Sequence, residues 1–324
     1  MFRPGSRVAK MLQFQRQGLN GAAVDQFESV GHAILSRESG WARMQAGYEQ
    51  VTEISPVMHS SCNSMTLCLN THKQQQSDYM TQSIEASLHN GVASIIFNRP
   101  QQGNIYDEDV LCAFIVALDD FAQDDSVRVL HIRGTGKDFC LGADPEWMRR
   151  IGDSPRYEST LSASQISRML ETLMHFPVPT LAEVQGKAQA GALGILACCD
   201  YVIGTESSCY HMNEIHHAAM PVISTPYLIR VMGERTVRAL MLTGAEIDSE
   251  TALRHGLIQE RVPETVLRER VQARIDHWLS LSPVTLRQAK IVLTHSTPEN
   301  FDPDRSDELA DLLASTRQSY YAQQ

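Results

Sequence analysis

The chain has 324 residues, 43% of them hydrophobic and 20% charged, the composition of a globular protein and not of a disordered or fibrous one. Its 28 basic against 38 acidic side chains leave a net charge of −10, a surface that repels the phosphates of nucleic acid and of anionic membranes. No stretch approaches the roughly 20 consecutive apolar residues of a membrane span, and seven cysteines without a CxxC pair read as small core thiols in a reducing compartment, the cytoplasm.

Residues 1–79 carry Ser/Gln/Asn-rich stretches at 60–64 and 72–77 and no sustained helical or strand period. This part reads as an N-terminal extension, dispensable, disordered, or upstream of the true start. Arg3, Arg7, Lys10 and Arg16, with no acid before Asp25, also permit a cleaved organelle-targeting segment. From Met80 the patterning changes. Segments 83–88 and 92–97 flank the turn signal Asn90-Gly91 and predict a β-hairpin. Asp107 is placed to cap a helix running to about Ala122, and 127–132 is an apolar run suited to a buried strand. Ile166, Met169, Leu170, Leu173 and Met174 fall at helical spacing. Pro177 and Pro179 stop that helix and deliver the chain into a strand over 180–184. A Gly/Ala-rich turn, an apolar helix over 191–199 and a strand from Tyr201 follow. Strands alternating with helices predict an α/β layered core over 80–262, with a helical region, punctuated by Pro283, over 263–324.

Three segments carry residue types suited to chemistry. Phe139-Cys140-Leu141-Gly142-Ala143-Asp144 follows a predicted strand and a polar turn, and the small residues of 186–194 open a buried helix. A helix N-terminus has unpaired N–H groups and the positive end of the dipole, so N–H groups from two such turns can hold an oxygen anion. Small residues at such turns also serve tight packing alone. In Tyr210-His211-Met212-Asn213-Glu214-Ile215-His216-His217 one acid lies at a predicted strand end, where a merely solvated role is the bland alternative. His216 and His217 are adjacent and would point apart on a strand, without carboxylate-rich ligand spacing, so no metal is expected.

In order and spacing these segments resemble the crotonase (enoyl-CoA hydratase/isomerase) superfamily. The matching stretches are Asn98-Arg99-Pro100 with Asn104, the 139–144 segment, Val184-Gln185-Gly186 through Gly194, Asn213-Glu214-Ile215, Gly233-Glu234-Arg235 through Gly244, and Gly256-Leu257-Ile258 with Val262-Pro263. The resemblance implies an α/β fold, a crotonase-like ββα spiral core with a C-terminal helical oligomerisation region, holding an acyl thioester. By motif position its carbonyl oxygen is bound by the N–H groups of Ala143 and Gly191, leaving the acid–base work to a side chain. Asn104, Ile105, Cys140, Gly142 and Asp144 are implied to border the substrate or its CoA portion, and Lys290 to approach the CoA phosphates, a solvated lysine being the equal alternative. No cofactor is implied, coenzyme A being part of the substrate.

Many such hydratases carry two glutamates, and the first position here is Gly194, so Glu214 is the one matched acid. Ala192-Leu193-Gly194 with Ala197-Cys198-Cys199-Asp200, Pro226-Tyr227 and Trp147-Met148 resembles bacterial 3-methylglutaconyl-CoA hydratases, which also lack the first glutamate. Gly186-Lys187 with Ala190-Gly191, and Ile105 behind Asn104, resembles polyketide-associated hydratases that act on an acyl-carrier-protein thioester. The reading is therefore an acyl-thioester hydratase/dehydratase on a branched 3-methylglutaconyl-like group. The alternatives are the carrier-protein dehydratase and a non-catalytic thioester-binding homologue. Arg149, Arg150, Arg156 and Arg168 could gather to meet either a carrier protein or CoA phosphates, and His211, His216 or Lys187 could meet a terminal substrate carboxylate. The apolar faces of 263–279 and 283–293 predict a homotrimer or homohexamer.

Overall fold

The computed structural model describes residues 83–217, 219–295 and 313–314, so the reading of 1–79 lies outside the described residues, as does most of the chain beyond 295. Asn90 and Gly91, at φ 51° and 81°, close a two-residue turn between β1 (Ile84–His89) and β2 (Val92–Phe97). Both turn positions need positive φ, which Asn and Gly tolerate best, and the register pairs His89 with Val92 and Ile84 with Phe97. Four parallel strands extend the hairpin: β3 (Val129–Gly134), β4 (Thr180–Val184), β6 (Tyr201–Thr205) and β9 (Glu260–Val262) give the sheet order β1-β2-β3-β4-β6-β9. A second sheet, in the order β5-β7-β8, joins β5 (Lys187–Gln189), β7 (Cys209–His211) and β8 (Glu246–Asp248).

The crossovers are helical, as parallel pairing requires. Helix α1 (Glu108–Gln123) starts where Asp107 accepts a bond from Val110 N at 3.0 Å, and buries Val110, Leu111, Phe114 and Leu118. After α2 (Pro145–Asp153), α3 (Arg156–Met174) buries Met169, Leu170 and Leu173 on the spacing expected of it. Helix α4 (Gly191–Cys198) is buried on every side, seven of its eight residues being inaccessible, which matches its lack of any polar face. Helix α5 (Thr225–Met232) packs on α4 and on α6 (Glu234–Thr243), and α7 (Ser249–Arg254) packs on the second sheet, before α8 (Leu267–Ser280) and α9 (Pro283–His295).

All five residues of β4 are buried because both faces of the sheet are covered. One face meets the main core, and on the other Val129, Leu181 and Ile203 pack against Leu267, Val271 and Ile275 of α8. This corrects part of the sequence reading: the apolar face of α8 is used within the chain and is not surplus. Helix α9 does leave Ile291 and Leu293 exposed. Cys140, Cys198, Cys199 and Cys209 are free, whereas Cys112 is disulfide-bonded, a departure from the expectation of thiols throughout. Among the described residues no helix is long and apolar enough to cross a membrane.

Candidate active site

Because β3 and β4 are parallel neighbours, the segments leaving their C-terminal ends are brought side by side. The first segment, 139–144, runs along β5 of the second: Gln189 N donates to Cys140 O at 2.9 Å and Cys140 N to Lys187 O at 3.3 Å. Further on the two turns touch. Gly142, at φ 91°, lies so close to Ala190 that a Cβ on it would be 2.8 Å from the Ala190 Cβ, which makes glycine obligatory there. Ala190 itself holds φ 52° and ψ −129°, a conformation that L-residues rarely adopt and that costs about 1–3 kcal/mol.

The backbone groups around the two turns are engaged. Gly142 N meets Cys140 Sγ at 3.4 Å, Asp144 N donates to Tyr106 O at 2.8 Å, Ala190 N to His211 O at 2.9 Å and Leu193 N to Ala190 O at 3.0 Å. Among the described residues, no acceptor within the chain meets Ala143 N–H or Gly191 N–H. Two unengaged N–H groups on touching turns, one at the N-terminus of a buried helix, can hold one oxygen anion.

Glu214 follows β7. The sequence reading set it at a strand end with His216 and His217 on the strand, but Asn213–His217 is a 3-10 turn. The reason is that β7 pairs only with the three-residue strands β5 and β8, so past His211 the chain has no strand to pair with and coils. The turn is drawn to the second loop where Asn213 Nδ2 reaches Gln189 Oε1 at 3.5 Å. Burial raises the Glu214 pKa above the ordinary glutamate value, while its own backbone N–H and nearby His211 pull the other way. Its Oε2 is buried without a hydrogen-bond partner. His211 and His216 both donate through Nε2 to Gly244 O, at 2.7 and 3.1 Å, a carbonyl being able only to accept. These nitrogens are therefore committed to the chain itself.

The position of the missing first glutamate is filled. A Cβ on Gly194 would lie 2.6 Å from Ser224 Oγ and 3.0 Å from Leu170 Cδ1. Neither Ser224 nor Leu170 is signalled in the sequence as a neighbour of Gly194.

The remaining predicted positions divide into two groups. Asn104, Ile105, Cys140, Gly142 and Asp144 all belong to the first turn or to the segment bonded to it. Asn104 is buried and its amide is consumed by the scaffold: Nδ2 donates to Thr135 O and Asp138 O at 2.8 Å, and Oδ1 accepts from Arg99 N at 2.9 Å. Asp144 caps α2 by accepting from Glu146 N at 2.7 Å. Burial pushes the Cys140 thiol up to about 12, which leaves it a core group. Lys290 is elsewhere. Its Nζ lies 2.6 Å from both oxygens of Asp200, at the N-terminal end of β4 and thus at the far end of the strand from the two turns. Of the four arginines, Arg168 pairs with Asp119 at 2.6 Å, and Arg150 shares its cleft with the acids Asp107, Glu108, Asp109, Asp144 and Glu146. Lys187 pairs with Glu246 at 3.4 Å, half exposed. Among the described residues no cluster of His, Cys, Asp and Glu could hold a metal ion.

The sequence profile of enoyl-CoA hydratase/isomerase matches residues 87–322. A crystal structure of an enoyl-CoA hydratase from Shewanella pealeana is 29% identical, with a TM-score of 0.69, over 76% of this chain and 91% of that one. The hydroxycinnamoyl-CoA hydratase-lyase of Pseudomonas fluorescens is 26% identical over 64% of this chain and 76% of its own length. The mouse peroxisomal enoyl-CoA delta isomerase 3 is 24% identical over 75% of this chain and 76% of its own.

Proposed function

Because the chain belongs to the enoyl-CoA hydratase/isomerase family, we propose that it adds water to, or removes it from, an acyl thioester, with Glu214 as its single acid–base group. The observation that carries this reading is the Glu214 carboxylate: on a half-exposed 3-10 turn beside the two small-residue loops, it keeps one oxygen buried and unpartnered, and its pKa is raised. A carboxylate so placed has little internal stabilisation and is disposed to take a proton.

In the hydration direction the thioester carbonyl oxygen accepts bonds from Ala143 N–H and Gly191 N–H. Glu214 removes a proton from water as the hydroxyl adds to the β-carbon. The electron pair of the double bond moves toward the carbonyl oxygen, and the enolate is held by the two donors. Glu214 then returns its proton to the α-carbon, so one carboxylate completes the cycle. Dehydration is the reverse. The branched 3-methylglutaconyl-type acyl group rests on the resemblance of 192–200, 226–227 and 147–148 to hydratases of that substrate. CoA is preferred over a carrier protein because the net charge of −10 disfavours docking an acidic protein and the resemblance leans toward the CoA-dependent hydratases.

One observation favours a second reading. With the Gly194 position closed by Ser224, a single base faces the substrate, and one base is also what moving a proton from the α- to the γ-carbon of a 3-enoyl thioester requires.

The test offers the full chain 2-enoyl-CoA and 3-enoyl-CoA thioesters, 3-methylglutaconyl-CoA among them, and follows the absorbance of the conjugated enoyl group. Loss of absorbance supports hydration; gain from the 3-enoyl compound alone supports isomerisation; binding without either change would establish the non-catalytic homologue. Offering the same acyl group on a carrier protein decides the carrier. A tenfold preference in kcat/KM for the protein thioester, about 1.4 kcal/mol, would reverse the choice of CoA.

A further inference from the structure

Tyr106 is built into both loops at once. Its backbone is bonded to the first: Tyr106 N donates to Gly142 O at 3.0 Å and its carbonyl accepts from Asp144 N at 2.8 Å, so Tyr106 runs alongside Ala143. Its side chain crosses to the second, where a Cβ on Gly191 would collide with the phenol oxygen. The hydroxyl therefore lies against Gly191 while the Tyr106 backbone flanks Ala143, the two residues whose N–H groups are unengaged. The residue is 4% exposed, and its ring packs edge-on against Trp147 with centroids 6.2 Å apart. Among the described residues the hydroxyl meets no hydrogen-bond partner. A phenylalanine would fill the same space, so the hydroxyl is not needed for packing and is open to a partner from outside the chain. Burial, reinforced by the nearby Glu214 carboxylate, raises the pKa of the phenol, so the group stays protonated and acts as a donor.

We propose that Tyr106 is a further catalytic residue, its hydroxyl donating a third hydrogen bond to the oxygen held by Ala143 N–H and Gly191 N–H. The inference rests on the reading of those two turns as the thioester-oxygen site. It identifies what the Gly191 position must leave room for, and it supplies a donor whose bond strengthens as charge develops on the enolate. Tyr106 transfers no proton; it remains a phenol throughout.

The experiment separates this from the underlying site. In a Glu214→Gln background, but-2-enoyl-CoA is bound and its absorbance and thioester carbonyl stretch are recorded, because donors at the carbonyl polarise the conjugated system. The Glu214→Gln protein should show a red-shifted absorbance and a lowered carbonyl frequency. Glu214→Gln with Tyr106→Phe should bind within about threefold of the same Kd but with a clearly smaller shift. Tyr106→Phe alone should lower kcat about 10- to 100-fold, with KM within threefold and Tm unchanged. An undiminished spectral shift with wild-type kcat overturns the Tyr106 proposal and leaves the oxygen site standing. A Tyr106→Phe protein that no longer binds, or whose Tm falls with kcat, overturns it in favour of a structural role. If the Glu214→Gln protein itself binds without any shift, or does not bind, the oxygen site and the proposal fall together.

Discussion

The two ends of strand β4 hold carboxylates in opposite conditions. At Thr180, where the strand begins, Asp200 Oδ2 accepts from Thr180 N at 2.9 Å and from its hydroxyl at 3.0 Å, and Lys290 closes on both Asp200 oxygens at 2.6 Å. Beyond Val184, where the strand ends, Glu214 keeps a buried oxygen unpartnered, two N–H groups are unengaged, Ala190 carries a strained backbone, and glycines are packed against atoms that exclude a Cβ. At one end the Asp200 carboxylate is matched within the chain and ties a C-terminal helix to the sheet. At the other the Glu214 carboxylate keeps an oxygen free for a ligand. The contrast separates a carboxylate that serves stability from one open to chemistry.

Substitutions at the two ends should therefore behave differently, and the largest effect is expected at Gly194. Gly194→Glu would force a carboxylate into the space of Ser224 and Leu170, and overpacking with an unpaired buried charge should cost about 3 kcal/mol or more. Denaturant unfolding would measure it; a variant as stable as the wild type would show that the second acidic position is open after all. Gly191→Ala comes next, at about 1–3 kcal/mol for the collision with the Tyr106 hydroxyl. Adding Tyr106→Phe should restore stability, because the nearest remaining ring carbon is 3.2 Å from the new Cβ. Additive losses in that double-mutant cycle would contradict the contact. Lys290→Met should lower stability by about 1–2 kcal/mol while turnover stays as it was; lost turnover with an unchanged Tm would return Lys290 to the substrate.

The mildest perturbation is pH. Glu214 must be ionised to accept a proton, and burial holds its pKa above the ordinary 4.5. Activity should thus fall on the acid side at a pH above the usual glutamate range. A kcat/KM profile whose acid limb lies at or below 4.5 would contradict the environment described for this residue.

Much of this was legible in the sequence where the signal is local. Asn90-Gly91 announces a turn that needs positive φ, Asp107 announces a cap, and the apolar spacing of 166–174 announces a buried helical face. The order of the glycine-rich segments and Glu214 pointed to the family. What was not legible depends on residues far apart in the chain. Alanine at 190 gives no hint of a backbone that glycine would adopt more easily. Tyr106 reads as an ordinary core aromatic until the fold sets its hydroxyl against Gly191, 85 positions later. Ser224 reaches the Gly194 position from the turn that precedes α5. Lys290 was drawn toward the substrate by resemblance, yet its partner is Asp200, 90 residues earlier. The outer face of the parallel sheet, a requirement of the continuous burial of β4, absorbs the apolar stripe of α8 that read as an interface.

The central claim is that Glu214 is retained for chemistry at the expense of stability, and its most direct test is Glu214→Gln measured for both. The folded state, with its raised pKa, holds the Glu214 proton more tightly than the unfolded chain does. The Glu214 contribution to stability should therefore fall as pH rises from the ordinary glutamate value through the raised one, and the loss is fully present above it, read as the difference between wild type and Glu214→Gln. Glutamine carries no such penalty. At pH 7 the variant should lose nearly all turnover, a decrease of at least about 10²-fold, while its unfolding free energy stays level with or exceeds that of the wild type. A variant that keeps most of its turnover, or that becomes markedly less stable, would contradict the account.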